Sequence, residues 1–272
     1  MITINYKGHL GNNLFQRVIA EIFADKHNLT IHDPLCSFTS TNSRTGGRGM
    51  PEALSLLINP SVDKILPKDE LIKLGDEDVT SRTNYLKHLY NCNLKRLHLD
   101  GFFQKSWIYL EHREKIKSFV NTKKTTLSIS PDDVAVCIRR NNVTGTEQHI
   151  PVEYYKYTIN KYFKNNSLYI FTDSPNDKDI VYLQKLFNVK KIIGNDRPMF
   201  NAKEAVLDLS CISTFNNIIG GIGTYHWWAI FLSSAKNIFL PLAERGWGFT
   251  KGNSIDLYLP FVKYIHHCEY SY

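Results

Sequence analysis

The sequence predicts an α/β protein of two domains, each built on a parallel sheet, and three observations carry that prediction. The chain of 272 residues is long for one core and comfortable for two, since domains cluster near ~100 to 150 residues. From residue 134 onward, short apolar β-rich runs alternate with helical patterns, the signature of parallel strands joined by crossover helices. The N-terminal half opens in the same way, with strand, turn, amphipathic helix and strand in succession. Both halves are therefore expected to be Rossmann-like, with a ligand cleft between the carboxyl ends of two facing sheets.

In the first half, "ITINY" reads as a strand, "KGHLG" as a turn, "NNLFQRVIAEIFADKHN" as a helix and "LTIHD" as the next strand. Residues 36 to 92 then lose their rhythm in short polar pieces such as "TSTNSRTGGRGMPE" that give no assignable element. Order returns with "LKRLHLDGFFQ" as a strand and "WIYLEHREKIKSFV" as a helix. The polar stretch "NTKKTTLSISPDD", residues 121 to 133, is the linker candidate. It sets expected domains at 1–125 and 126–272. In the second half "VAVCIRR", "LYIFTD", "VKKIIG", "NNIIGGIG" and "KNIFLPL" read as strands, with helices in "PVEYYKYTINKYF", "KDIVYLQKLF", "KEAVLDLSCIS" and "YHWWAIFLSSA" between them.

A hydrophobic content of 43% with 22% charged residues is the composition of a folded protein, not of a disordered or fibrous one. The five cysteines, Cys36, Cys92, Cys137, Cys211 and Cys268, are odd in number and scattered without a CxxC, which favours reduced thiols in the cytoplasm. The N-terminus lacks a basic segment followed by an apolar one, and no run reaches the ~20 apolar residues that span a bilayer. The net charge of +7 carries no basic block of the kind that binds nucleic acid. A dispersed excess suits an anionic small ligand or the surface of an acidic membrane, so the expectation is a cytoplasmic protein with room for peripheral membrane association.

Three segments carry candidate chemistry. In "KGHLGNNLFQ", Gly8 and Gly11 lie between strand and helix, and Asn12 is placed to cap the helix. Such a turn lets a ligand approach the backbone and offers unpaired N–H groups to an anion, although ordinary turn chemistry accounts for it as well. In "VAVCIRRNN" two arginines follow a buried strand, and consecutive strand residues face opposite sides. One of them can reach a ligand while the other pairs structurally, or both belong to surface ion pairs. In "NNIIGGIGTYHWWAIFL" a glycine-rich strand end runs into an aromatic helix starting near Thr224, a cradle for phosphate or carboxylate. Trp227 and Trp228 read as core. His226, where a charged imidazolium is disfavoured, serves as a neutral donor, as a base or as packing. The only D-x-D pattern with the flavour of a metal site, "DED" at 76 to 78, reads as a solvated loop, and no metal is expected.

Taken together and in this order, these segments resemble glycosyltransferase family 11, the α-1,2-fucosyltransferases that use GDP-fucose. "KGHLGNNLFQRV" is similar to the family's G-x-L-G-N-Q motif with its Phe-Gln, and "LDGFFQKSWIYLEHREKI" to its glycine-aromatic-aromatic-Gln segment. "VAVCIRRNN" sits where the family has His-x-Arg-Arg-Gly-Asp. "LYIFTDSPND" resembles its Phe-Ser-Asp-Asp strand end, and "DLSCISTFNNIIGGIGTYHWWAIFL" its Asp-Leu, Asn-Ile-Ile and Ser-Trp-Trp block.

The resemblance implies a GT-B fold and an inverting, metal-independent transfer of L-fucose, or a related deoxysugar, from GDP to a glycan hydroxyl. It implies Arg139 as the pyrophosphate clamp and a donor-binding set of Gly8, Leu10, Gly11, Asn12, Arg139, Asp173, Gly223, Thr224 and Tyr225. The pattern is broken at Cys137, which replaces the family's His, and at Asn141 and Asn142, which replace Gly-Asp. An inverting transfer needs the acceptor hydroxyl deprotonated as it attacks, and Asn cannot do that. The base is then sought among Glu147, His149, Glu153 and His226. The alternatives are a relative that binds a sugar nucleotide or glycan without transfer, and a Rossmann oxidoreductase, which would lack its glycine fingerprint here.

Overall fold

The computed structural model describes residues 1–32, 50–58, 72–75, 88–122, 125–140, 150–194, 202–242 and 257–271. The chain forms two compact units, one on Met1–Asn121 and the other on Thr122–Met199 with Glu204–Tyr272. Each carries a parallel sheet, so the α/β prediction and its two-sheet architecture hold.

The N-terminal sheet has the order β2-β1-β4-β3, with β1 Ile2–Ile4, β2 Ile31–His32, β3 Ile72–Gly75 and β4 Leu97–Asp100, all parallel. Ile2, Ile4, Leu74, Leu97 and Leu99 are buried. Thr3, Lys73, His98 and Asp100, which alternate with them, are not, so one face is apolar and the other polar. Helix α1, Leu10–His27, buries most of its length, including Leu14, Phe15, Val18 and Ile19. It ends on Asn28 in the left-handed conformation, φ 51°, a position that Asn tolerates better than most residues. Helix α2 is Met50–Leu57. The single helix expected after residue 106 is two short ones, α3 Ser106–Leu110 and α4 Arg113–Phe119.

The C-terminal sheet comprises β5 Val134–Ile138, β6 Leu168–Thr172, β7 Val189–Ile193, β8 Asn217–Ile219, β9 Asn237–Leu242 and β10 Lys263–His266, the last an edge strand that the sequence did not reveal. Its order is β10-β9-β8-β5-β6-β7, parallel throughout. Numbered from its own first strand, this is the dinucleotide-fold order 3-2-1-4-5-6 read from the opposite edge. The order reverses between β5 and β8, and the crevice outside their carboxyl ends is where such sheets take ligands. Every residue of β5 and β6 is buried, as central strands covered on both faces must be. The crossovers are α5 Val152–Tyr162, α6 Lys178–Leu186, α7 Ala202–Thr214 and α8 Thr224–Leu232. Trp227 and Trp228 are fully buried, and Trp227 stacks on Phe231 with ring centroids 4.8 Å apart while its Nε1 donates to the Leu257 carbonyl at 2.8 Å. They fill the space between helix and sheet, as expected of large aromatics there.

Candidate functional site at the β5–β8 switch point

Strand β5 ends at Ile138, and the two arginines beyond it part company. The Arg140 backbone N–H donates to Asp173 Oδ1 at 2.7 Å, and its Nη2 donates to Asp179 Oδ2 at 2.9 Å with the side chain only 4% exposed. Asp177, the N-cap of α6, stands 3.7 Å from its Nε. Arg140 thus ties β5 to the start of α6, and Asp173 holds the strand end through one carboxylate oxygen. Arg139 is half-buried, and among the described residues its guanidinium has no carboxylate partner.

The glycines after β8 have different reasons to be glycine. A Cβ on Gly220 would meet the Leu240 side chain at 2.5 Å, and one on Gly221 would meet the Cys137 carbonyl at 2.8 Å and the Tyr155 hydroxyl at 2.7 Å. Strand packing therefore requires both. Gly223 has φ 145°, which L side chains rarely adopt, and the nearest group to its missing Cβ is Arg139, with Nη1 at 3.7 Å. Gly223 is also the N-cap of α8, and no side chain caps that helix. The first intrahelical bond there runs from the Trp227 N–H to the Gly223 carbonyl at 3.0 Å, leaving the N–H groups of Thr224, Tyr225 and His226 ahead of it. A guanidinium with no carboxylate partner among the described residues, beside an uncapped helix N-terminus, is an anion site on two counts.

His226 lies in that same first turn, 8% exposed, with Nδ1 buried and unpartnered. Burial, and secondarily the Arg139 cation, push its pKa down to about 4, so it is neutral near pH 7. The Tyr225 hydroxyl donates away from the site, to the Ala205 carbonyl of α7. One turn further along α7, Asp208 is pushed up to about 6 by burial and by Glu204. Glu153 is exposed in the first turn of α5. Glu147, His149, Asn141 and Asn142, like "DED" at 76 to 78, lie outside the described residues.

The glycine turn of the N-terminal unit differs from expectation. Helix α1 begins at Leu10 with His9 in the cap position and no side-chain cap, so Asn12 falls in the first turn and does not cap it. Gly8, at φ 75°, turns the chain early, and a Cβ there would strike Asn12 Nδ2 at 2.1 Å. Asn12 Oδ1 instead accepts from Gln104 Nε2 at 2.9 Å. Leu10 and Gly11 are buried in the first turn of α1.

Sequence reasoning gave no role to Asn13 and Gln16, which hold this turn. Asn13 Nδ2 donates to the Lys7 carbonyl at 3.0 Å and the Lys7 N–H donates to Gln16 Oε1 at 3.1 Å. Gln16 Nε2 then donates to the Gly101 carbonyl at 2.8 Å. The loops after β1 and β4 are therefore bolted together. Asp100, also missed, ends β4 and accepts from Asn5 at 2.8 Å, from Lys7 at 2.7 Å and from Lys73 at 2.7 Å, which holds its carboxyl well below the usual range. Its signal was "LDG", an acid before a glycine at a strand end, which many solvated turns share.

No family model matches the chain, and no curated protein matches it. Among solved structures it is similar to Arabidopsis thaliana FUT1, an Arg-to-Lys mutant in complex with GDP, with a TM-score of 0.54 and 9% identity over 92% of this chain and 72% of that one. At that identity the likeness is one of fold, two parallel α/β sheets of GT-B type. Among the described residues no helix is long and apolar enough to cross a membrane, and no group of His, Cys, Asp and Glu has metal-holding geometry.

Proposed function

We propose that the protein is a GDP-sugar-dependent glycosyltransferase that holds the donor diphosphate at the β5–β8 switch point. The observation that carries this is Arg139, without a carboxylate partner among the described residues, beside Gly223 at the uncapped N-terminus of α8. Breaking the sugar–phosphate bond leaves negative charge growing on the β-phosphate, and preorganised donors there lower the barrier. Arg139 and the α8 amides supply that charge with no metal invoked. GDP in the fold neighbour and the resemblance to family 11 support the same reading. That the sugar is L-fucose, the linkage α-1,2 and the acceptor a glycan hydroxyl rests on the resemblance.

His226 fits a neutral donor better than a base. A base with a pKa near 4 is mismatched to proton abstraction near pH 7. Isothermal titration with GDP, then release of GDP from GDP-fucose with and without a panel of glycans in EDTA, tests the proposal. Absence of GDP binding, or an Arg139→Ala variant that binds as the parent does, ends it.

The broken motif at Cys137 and the depressed His226 favour a second reading, a sugar-nucleotide-binding protein without transfer. GDP binding with no acceptor-dependent release of GDP over the panel selects it.

A further inference from the structure

We infer that the carboxyl edge of the N-terminal sheet is a saccharide subsite selective for an acidic sugar, one carrying a carboxylate. The inference deepens the transferase reading, on which the word acceptor rests; the binding itself can be measured without it.

In the order β2-β1-β4-β3 the chain leaves β1 for one edge and returns through β3 at the other. The reversal lies between β1 and β4, so the crevice outside their carboxyl ends is this unit's own switch point. Asn5, Lys7 and Asp100 stand there, with Lys73 reaching in from β3. Side chains of Lys7 and Lys73 are 40% and 65% exposed, that of Asp100 17%. Exposed ion pairs contribute little to stability, which leaves the cluster's composition to be explained by something else.

The donor count points to the ligand. A carboxylate offers about four acceptor positions and an ammonium about three donors. Asp100 spends three positions on Asn5, Lys7 and Lys73, so nearly all its capacity is used. Each lysine spends one donor on it, and Lys7 makes one further long contact to the Asp100 carbonyl at 3.5 Å. Among the described residues the cluster therefore has spare donors, few spare acceptors and an excess of one positive charge. What complements it is rich in acceptors and negatively charged.

The second observation is the turn that follows. Phe103 is fully buried in the left-handed conformation, φ 54°, a sparsely populated state for a bulky residue. Its carbonyl accepts from the Tyr109 hydroxyl and the Lys105 N–H, each at 2.8 Å. With Phe103 turned inward, Phe102 stands outside, 37% exposed, two residues beyond Asp100. An exposed aromatic two residues along the chain from a charged, hydrogen-bonding rim is a combination suited to a sugar, apolar face on the ring and polar edge on the donors. The Gln16 bridge fixes this rim before any ligand arrives.

The test is a saturation-transfer NMR titration of the full chain with methyl glucuronide and methyl glucoside, with GDP binding measured on the same samples. The glucuronide is expected to bind about tenfold tighter, because a carboxylate gains charge-assisted hydrogen bonds that a hydroxymethyl does not. Lys73→Gln erases that preference, Phe102→Ala weakens both sugars, and neither changes GDP affinity. Equal binding of the two sugars, binding of neither while GDP still binds, or a Lys73→Gln variant that keeps the preference overturns the inference. Inorganic sulfate binding as tightly as the glucuronide also overturns it, since that marks a bare anion site. Loss of GDP binding with the sugar preference intact sinks the donor assignment and leaves this one standing.

Discussion

The Arg140 guanidinium donates to Asp179 across the ends of β5 and α6 at 2.9 Å, with its side chain 4% exposed. Its chain neighbour Arg139 has no such partner among the described residues and lies against Gly223. Substitution is expected to separate the two. Arg139→Ala leaves the urea midpoint within error of the parent and weakens turnover about a hundredfold or more, the usual loss for a donor aimed at developing charge. Arg140→Ala costs about 3 kcal/mol of stability, because it strands two acidic groups beside a buried gap. Urea titration and GDP calorimetry on both variants check the contrast.

His226 makes the protein sensitive to acid in a defined window. Its folded pKa of about 4 lies below the unfolded value of about 6.5, so the unfolded state takes up the proton first. Stability associated with this group is present above pH 6.5 and falls as the pH drops toward 4, by about 2 kcal/mol at pH 5. His226→Gln is expected to lose that component of the slope, read as the difference between variant and parent urea midpoints at pH 7.5 and 5.

Asp208 acts with the opposite sign. Burial and Glu204 raise its folded pKa to about 6 from 3.8, so ionisation opposes folding at neutral pH, and the cost disappears as the pH falls below 4. Asp208→Asn is expected to stabilise by about 3 kcal/mol at pH 7.5 and by only about 0.5 kcal/mol at pH 4. Paired thermal or urea unfolding at the two pH values measures this.

Of the two glycines packed at the end of β8, Gly221 is the one the fold tolerates less. An added Cβ meets a backbone carbonyl at 2.8 Å, which cannot rotate aside as a side chain can. Gly221→Ala should cost about 1–3 kcal/mol by overpacking. Gly8→Ala meets the end of the Asn12 side chain and pays chiefly for its left-handed backbone, about 1–2 kcal/mol. Its distinguishing outcome is a weakened Asn12–Gln104 contact, visible in the Gln104 side-chain amide resonances.

The sheet of the second half could be read from the chain because its central strands carry no alternation. "VAVCI" and "LYIFT" are buried on both faces, and nothing but a covered parallel strand suits that pattern. Alternation likewise implied that one of the two arginines would pair structurally, but it did not say which; the pairing fell to Arg140. Asn12 was misread because an Asn after a glycine looks like a cap wherever the turn ends, and the true start depended on the φ of Gly8. Gln16 and Asn13 gave no signal in the chain, since the carbonyls they bind come from Lys7 and from a loop 85 residues away. Asp100 was hidden for the same reason: one of its lysines comes from the loop after β1 and the other from β3.

A single amide, Gln16, answers to both the loop after β1 and the loop after β4. Neither loop can be reshaped alone, because lengthening one pulls a hydrogen bond from the other and leaves a buried polar group unpaired. The two therefore behave as one inherited part. Ligand preference at this edge can drift through the outward side chains of Lys7, Lys73 and Phe102 while the backbone beneath them stays constant. A designer seeking to alter the proposed sugar preference should change those side chains and leave Gln16 in place.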